Sequence, residues 1–289
     1  MIVITGATGH LGRAVAERLL DRLPASQIAV SVREPANARD LAERGVRVRR
    51  GDYEDAASLA DAFSDATQLF IVSSATTGEG SLRQHRNAIA AAKAAGARRI
   101  VYTSQMGADA ASSFAPMPDH AATEVMLAES GVAFTSLRNG FYSASGLMLL
   151  GQAFETGEIV APEDGPVTWT AHADLAEAAA RALADEERLD GITPPLTASE
   201  ALTLDDLAVI ASDIAGRPVK RVTVSDADYR AGLISHGLPE WQADLLVGLF
   251  AAARAGAFAT VDPTLARLLG RKPVSMRDVM GSAFVTPRN

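Results

Sequence analysis

The sequence predicts an α/β protein: a doubly wound parallel sheet with helices on both faces, and a smaller, mostly helical C-terminal lobe. Three observations predict it. The chain opens with the short β-branched run Ile2–Thr5, passes Gly6, Gly9 and Gly12, and enters a helical apolar pattern at Leu11, Val15, Ala16, Leu19 and Leu20. Strand-sized apolar runs then alternate with helix-sized stretches up to about residue 140, as βαβ units with right-handed crossovers do. Beyond that the alternation loosens and helical periodicity dominates.

The first strand, glycine turn and helix come in the order that marks a dinucleotide-binding (Rossmann) loop. Gly6 turns the chain off the strand, Gly9 lets backbone approach a pyrophosphate, and Gly12 lets helix and strand pack closely. Unpaired N–H groups and the positive dipole end of the helix then face the phosphates. The spacing is G-x-x-G-x-x-G, with a longer first gap than the dehydrogenase fingerprint.

A second strand at Gln27–Val32 is closed by Arg33-Glu34-Pro35. Where an NAD-binding unit carries an acid for the ribose 2′-hydroxyl, this chain has Ser31, Val32 and Arg33, and a guanidinium suits the 2′-phosphate of NADPH. NADH stays open, because Glu34 is adjacent and Arg33 also reads as a solvated strand end. A third strand at Val46–Arg49 runs into Gly51-Asp52-Tyr53. Asp52 suits either the adenine amino group or the cap of a helix over Asp55–Phe63, and Tyr53 the side of the ring.

The fourth strand, Gln68–Val72, ends in Ser73-Ser74-Ala75, small residues suited to the crevice at the strands' carboxyl ends. Gly78–Gly80 opens a helix carrying His85, Arg86 and Asn87, where a catalytic reading of His85 stands beside that of an exposed capping or surface residue, the commoner fate of such a histidine. The fifth strand, Arg99–Thr103, leads to Ser104, then to the connection Ala110–Pro118 and a helix over Asp119–Ser130. The sixth, Ala133–Leu137, leads into Arg138-Asn139-Gly140-Phe141-Tyr142. Further on, the pattern predicts a strand at Val167–Thr170, helices at His172–Ala184 and Leu204–Ala215, a strand at Val219–Val224 and helices through Ala227–Ala255. Residues 1–140 are thus expected to form the nucleotide-binding core. Residues 141–289 are expected to complete the sheet and supply a substrate lobe over its carboxyl edge.

Bulk properties narrow the function. A net charge of −8 over 289 residues argues against non-specific nucleic-acid binding. No cysteine occurs, which removes disulfides, thiolate catalysis and cysteine-ligated metals; no metal site is expected. No apolar run approaches the ~20 residues of a membrane span. With a strand starting at residue 2, no leader is expected and a cytoplasmic location is the default. A monomer or homodimer is expected.

The chain resembles the NmrA-like members of the atypical short-chain dehydrogenase/reductases, and within them the NADPH-dependent type 2 quinone oxidoreductases and NAD(P)H azoreductase-like proteins. The residues that carry the resemblance are Thr5–Gly12, Arg33, Gly51-Asp52-Tyr53, Gln84-His85-Arg86-Asn87, Tyr102-Thr103-Ser104 and Leu137–Tyr142, then Ala173-Asp174-Leu175-Ala176 and Gly237-Leu238-Pro239. It implies cofactor contacts at Gly6, Ala7, Thr8, Gly9, His10, Leu11 and Gly12, at Arg33, at Ser73, Ser74 and Ala75, and at Asn139, Gly140 and Phe141; Asp52, Tyr53 and Arg138 are expected cofactor contacts beside them. Substrate contacts are implied at Phe141, Tyr142 and Trp169. Trp241 and Phe250 join them as part of an expected lid over Ser225–Ala257, two helices broken at Gly237-Leu238-Pro239.

One departure bears on mechanism. The ordinary members place Tyr-x-x-x-Lys at the start of the helix after the fifth strand; aligned through Glu124, the tyrosine position is Pro116 and the lysine position His120. Ser104 corresponds to the hydroxyl that steadies a substrate oxygen, and equally suits a strand-end hydroxyl that satisfies the backbone. A ketone becomes a strongly basic alkoxide and calls for an acid, whereas a quinone becomes a weakly basic phenolate. The expected activity is therefore hydride transfer from NADPH to a quinone-like acceptor, with His120, Tyr142 and Ser104 as candidate catalytic residues. For His120 a plain helix-start role is the alternative; as an acid it would titrate near ~6.5. The alternative function is a non-catalytic redox-sensing regulator that binds the dinucleotide.

Overall fold

A computed structural model describes residues 1–184 and 189–284; residues 185–188 and the last five residues of the expected C-terminal segment lie outside the described residues. In chain order the elements are β1 (Ile2–Thr5), α1 (His10–Leu20), β2 (Ile28–Val32), α2 (Arg39–Glu43), β3 (Arg47–Arg50), α3 (Ala56–Ala62), β4 (Gln68–Ile71), α4 (Glu79–Ala94), β5 (Arg99–Gln105), α5 (Pro116–Glu129) and β6 (Ala133–Asn139). There follow α6 (Ser143–Leu150), α7 (Ala153–Thr156), β7 (Glu158–Pro162), α8 (His172–Ala184), β8 (Gly191–Ile192), α9 (Leu204–Ala215), β9 (Lys220–Val224), α10 (Asp226–Ser235), α11 (Glu240–Arg254), α12 (Thr264–Leu269) and α13 (Met276–Phe284).

They form two compact units. The first comprises Met1–Ala110, Pro116–Asn139 and His172–Leu196. Its sheet is seven-stranded in the order β3-β2-β1-β4-β5-β6-β8, with every pair parallel. Ile2 of β1 stands opposite Ile28 of β2 on one side and Gln68 of β4 on the other. The chain winds outward from β1 to β3 and then restarts at β4 on the opposite side of β1. The crevice between the carboxyl ends of β1 and β4 is therefore the topological switch point where such sheets bind ligands. All residues of β1, β2 and β4 are buried, the near-continuous apolar run of a sheet covered on both faces. Leu59 and Phe63 from α3 and its end, Ala88 and Ala92 of α4, and Leu127 of α5 share a core with Val3, Leu69, Ile71, Ile100 and Tyr102 of the strands. Helix α1 packs against α8, so a segment after residue 170 returns to this unit.

The second unit comprises Ala111–Ala115, Gly140–Ala171 and Thr197–Asn289. Strands β7 and β9 pair in parallel, with Glu158 opposite Lys220. Helix α9 starts at a capping box, Thr203 with Asp206, and stops at left-handed Gly216. Phe114, Phe141, Trp169 and Phe258 form an aromatic cluster with ring centroids 4.8–6.0 Å apart. Gly165 lies against the backbone of α11, where a Cβ would stand 2.2 Å from the Ala253 carbonyl oxygen. The expected strand at Val167–Thr170 does not form. Its residues make single bridges, Val167 to Leu202 and Thr170 to Tyr142, and all four are buried, so the apolar pattern marks core rather than sheet.

Candidate nucleotide-binding and active site

The glycine loop takes the shape that its spacing requires. Gly6 sits at φ +63°, and the Gly9 N–H closes the turn by donating to the Gly6 carbonyl oxygen at 2.9 Å. A Cβ on Gly12 would fall 2.4 Å from that same oxygen, so the start of α1 touches the turn directly. A Cβ on Gly9 would meet nothing nearer than 3.4 Å. Gly9 is also the N-cap of α1 and provides no side-chain cap, which leaves first-turn N–H groups without a side-chain acceptor. These features fit a pyrophosphate.

Around this loop lies a pocket of about 430 Å³, lined by Thr5, Gly6, Thr8 and Gly9, by Ser31, Val32 and Arg33 at the end of β2, by Gly51, Asp52 and Tyr53 after β3, and by Val72–Thr76 and Gln84. It occupies the switch point. Nine of the residues expected to touch cofactor line it: Gly6, Thr8, Gly9, Arg33, Asp52, Tyr53, Ser73, Ser74 and Ala75. Arg33 is exposed and makes no hydrogen bond or ion pair among the described residues. An always-charged fork left without a partner at the pocket rim fits a 2′-phosphate.

The far wall is knitted by side chains. Tyr53 donates its hydroxyl to the Val72 carbonyl oxygen at 2.8 Å and lies 2.6 Å from Thr5 Oγ1, which accepts from the Val72 N–H at 2.9 Å. Burial pushes the Tyr53 phenol well up, so it stays neutral. Asp52 accepts from the Glu54 N–H at 3.0 Å, while Asp55 takes the cap of α3 by accepting from the Ser58 N–H. Of the two readings of Asp52, capping α3 thus falls to its neighbour.

Other expected contacts are placed differently. Ala7 and Leu11 are buried beneath the loop, and His10 lies beside His172, ring centroids 6.1 Å apart. Arg138 pairs with Glu124, its Nη2 2.6 Å from Oε2 and its Nε 3.0 Å from Oε1. Ser104 and Ser136 donate to the same Oε1 at 2.8 and 3.0 Å. The Ser104 hydroxyl is therefore committed to a buried carboxylate. Asn139 is buried at the carboxyl end of β6, while Gly140 and Phe141 belong to the second unit.

His120 is held by a hydrogen bond within the first unit. Its Nδ1 is 2.9 Å from the Tyr102 hydroxyl, and burial pushes its pKa down to about 4. A value so far below the ordinary ~6.5 favours the neutral imidazole near pH 7. His85 corrects the expectation of an exposed residue. It is 1% exposed, accepting from the Ser74 N–H at Nε2. Trp169 and Phe250, expected at the substrate, are 3% and 2% exposed. Trp169 donates Nε1–H to the Leu202 carbonyl oxygen at 3.2 Å, and Phe250 meets Tyr229 edge-on at 5.4 Å. Both are core residues of their unit. Trp241, in contrast, is 60% exposed on the first turn of α11, and α10 and α11 are separated at Gly237-Leu238-Pro239. Tyr142 is the N-cap of α6.

Thr5, Ser31, Val32, Gly51, Val72, Thr76 and Gln84 also line the pocket and stand outside the expected cofactor contacts. All but Gln84 and Thr76 sit at or just beyond strand ends, a position that the strand assignments already marked. Among the described residues, no group of His, Asp and Glu is arranged to hold a metal, and no helix is long and apolar enough to cross a membrane.

A parallel sheet wound around a switch point, with a glycine turn and an uncapped helix facing a pocket there, defines a dinucleotide-binding α/β protein of the Rossmann type. Residues 1–268 match the NmrA-like family, and the chain belongs to that family. It is 40% identical over 285 residues to quinone oxidoreductase 2 of Escherichia coli strain K12, covering 98% of this chain and 99% of that protein. The structure of the E. coli NADPH-dependent quinone oxidoreductase QOR2 complexed with NADPH superposes with a TM-score of 0.92 at 39% identity, covering 99% of this chain and 100% of that one. Citrobacter sp. triphenylmethane reductase complexed with NADP(H) superposes with a TM-score of 0.90 at 32% identity, covering 98% and 100%.

Proposed function

We propose that the protein is an NADPH-dependent oxidoreductase that transfers hydride to a quinone or a similarly conjugated small-molecule acceptor. The uncapped start of α1 and the glycine turn hold the pyrophosphate, Arg33 holds the 2′-phosphate, and Asp52 and Tyr53 flank the adenine. The bound nicotinamide supplies the hydride.

The observation that carries the choice of acceptor is the state of the acid–base position. Pro116 stands where ordinary members keep a phenol, His120 is neutral, and the Ser104 hydroxyl donates to Glu124. A site with no strong acid suits an acceptor that leaves a weakly basic phenolate, not one that leaves an alkoxide. Phe141 and Tyr142, and more loosely the helical pair carrying Trp241, remain the proposed acceptor contacts, on the strength of the Leu137–Tyr142 run. The same reading takes the protein as cytoplasmic, a monomer or homodimer, with no nucleic-acid or membrane partner; the net charge of −8 supports the absence of nucleic acid.

Steady-state NADPH oxidation with p-benzoquinone, against a simple ketone of similar size, tests the proposal. Turnover with the quinone and little with the ketone supports it. Equal turnover, or reduction of the ketone alone, refutes it.

A further inference from the structure

Three hydrogen bonds run in one direction through His85. The Ser74 N–H reaches Nε2 at 2.8 Å, Nδ1 lies 2.8 Å from Thr123 Oγ1, and Thr123 Oγ1 lies 2.7 Å from the Asp119 carbonyl oxygen. The ends of this chain fix its protons. A backbone N–H can only donate, so Nε2 carries no hydrogen. A carbonyl can only accept, so Thr123 gives its hydrogen to Asp119 and receives that of Nδ1. Helices α4 and α5 hold the other end of the same loop, where Asp119 Oδ2 accepts from the Gly78 N–H at 2.7 Å. Two residues along α4, Asn87 donates Nδ2–H to the carbonyl oxygen of Tyr53, another lining residue of the pocket, at 2.8 Å. Ser73–Thr76 line that pocket.

We propose that His85 is a positioning residue for the nucleotide: neutral, with its hydrogen on Nδ1, it sets the Ser74 amide and with it the Ser73–Thr76 wall in the place that receives the dinucleotide. The inference rests on the NADPH reading above. It gives a role to a histidine that the transfer chemistry does not use. The titratable groups facing the ring are Tyr102 of β5, edge-on with centroids 5.4 Å apart, and His120 of α5, while the Asp119 carboxyl of α5 is taken up by the Gly78 N–H. Burial, with the neighbouring His120 adding to it, pushes the His85 pKa down to about 4. A proton on Nε2 would turn that atom into a donor facing the Ser74 N–H, and the bond would be lost. Because the folded value lies below the ordinary one near ~6.5, the contribution is complete at and above neutrality. It disappears as pH falls toward about 4.

The test is calorimetric binding of NADP⁺, the acid-stable form, to wild type, His85→Phe and His85→Gln, from neutral pH downward. Glutamine offers an acceptor oxygen near the place of Nε2; phenylalanine keeps the ring volume and removes both bonds. His85→Phe should bind about tenfold more weakly, the cost of leaving one buried donor unpaired, and His85→Gln should stay near wild type. Wild-type affinity should fall on approaching pH 4 more steeply than that of His85→Gln. Amide hydrogen exchange over Ser73–Gly78 should quicken in the phenylalanine variant and not in the glutamine one. If His85→Phe does not fold, the difference in acid limb between wild type and His85→Gln decides. His85→Phe binding like wild type, or identical acid limbs for wild type and His85→Gln, overturns the proposal alone. A wild type that binds no NADP⁺ overturns the NADPH reading, and this inference with it.

Discussion

On the proposed reading, replacing Arg33 by alanine removes a group of the pocket rim that distinguishes the two nicotinamide cofactors. The guanidinium is exposed and unpaired among the described residues, so its loss breaks no internal bond and stability should be unchanged. A hydrogen bond to a charged group is worth about 1.5–3 kcal/mol, and solvent at the rim places this one at the low end. About 1.5 kcal/mol is roughly a tenfold loss of affinity. NADPH should weaken by that factor while NADH, which has no 2′-phosphate, should not change. Added salt should narrow the gap between wild type and variant, because the screening length falls to about 3 Å at 1 M. Calorimetric titration with both cofactors at low and high salt reads each of these. Equal loss for NADPH and NADH, or no loss for either, would refute the assignment of Arg33.

Gly9→Ala and Gly12→Ala should separate binding from folding. The first meets no neighbour inside 3.4 Å and should fold normally while losing nucleotide affinity; the second drives a Cβ to 2.4 Å from backbone and should lower the urea midpoint markedly. His120→Gln should leave the pH profile of kcat unchanged between about pH 6 and 8, because the imidazole is neutral there and takes up a proton only toward about 4. An inflection near neutrality that the variant abolishes would restore His120 as the acid. Glu124→Gln leaves the half-buried Arg138 without its counter-charge and should cost about 3 kcal/mol in denaturant unfolding; a stability within experimental scatter of wild type would contradict the buried network.

The sheet was legible because its strands are short β-branched runs buried on both faces, and β1 through β6 fall within two residues of their sequence positions. Helices at His172–Ala184 and Leu204–Ala215 match their apolar periodicity end to end. What periodicity cannot carry is pairing across long sequence gaps. Strand β7 ends in Pro162 and finds its partner only at Lys220–Val224, and β8 is two residues long. Val167–Thr170 has the composition of a strand but no neighbour to ladder with. The lining of the pocket was legible where strand ends and glycines marked it. His85 was misread because Gln84 and Arg86 surround it with polar residues, although Ser81, His85, Ala88, Ile89 and Ala92 form the buried face of α4. That face has the helical period and was visible in the sequence. The state of His120 was not, since burial among Tyr102 and its neighbours is set by tertiary packing.

Single-turnover mixing of the NADPH-loaded protein with p-benzoquinone tests the central claim most directly, with the nicotinamide hydrogen that is transferred replaced by deuterium in a parallel run. The account predicts one hydroquinone formed per NADPH oxidised and a slower first turnover with deuterium, because hydride transfer itself is the chemistry. NADPH that binds tightly yet stays reduced in the presence of quinone would contradict it and identify the protein as a dinucleotide sensor.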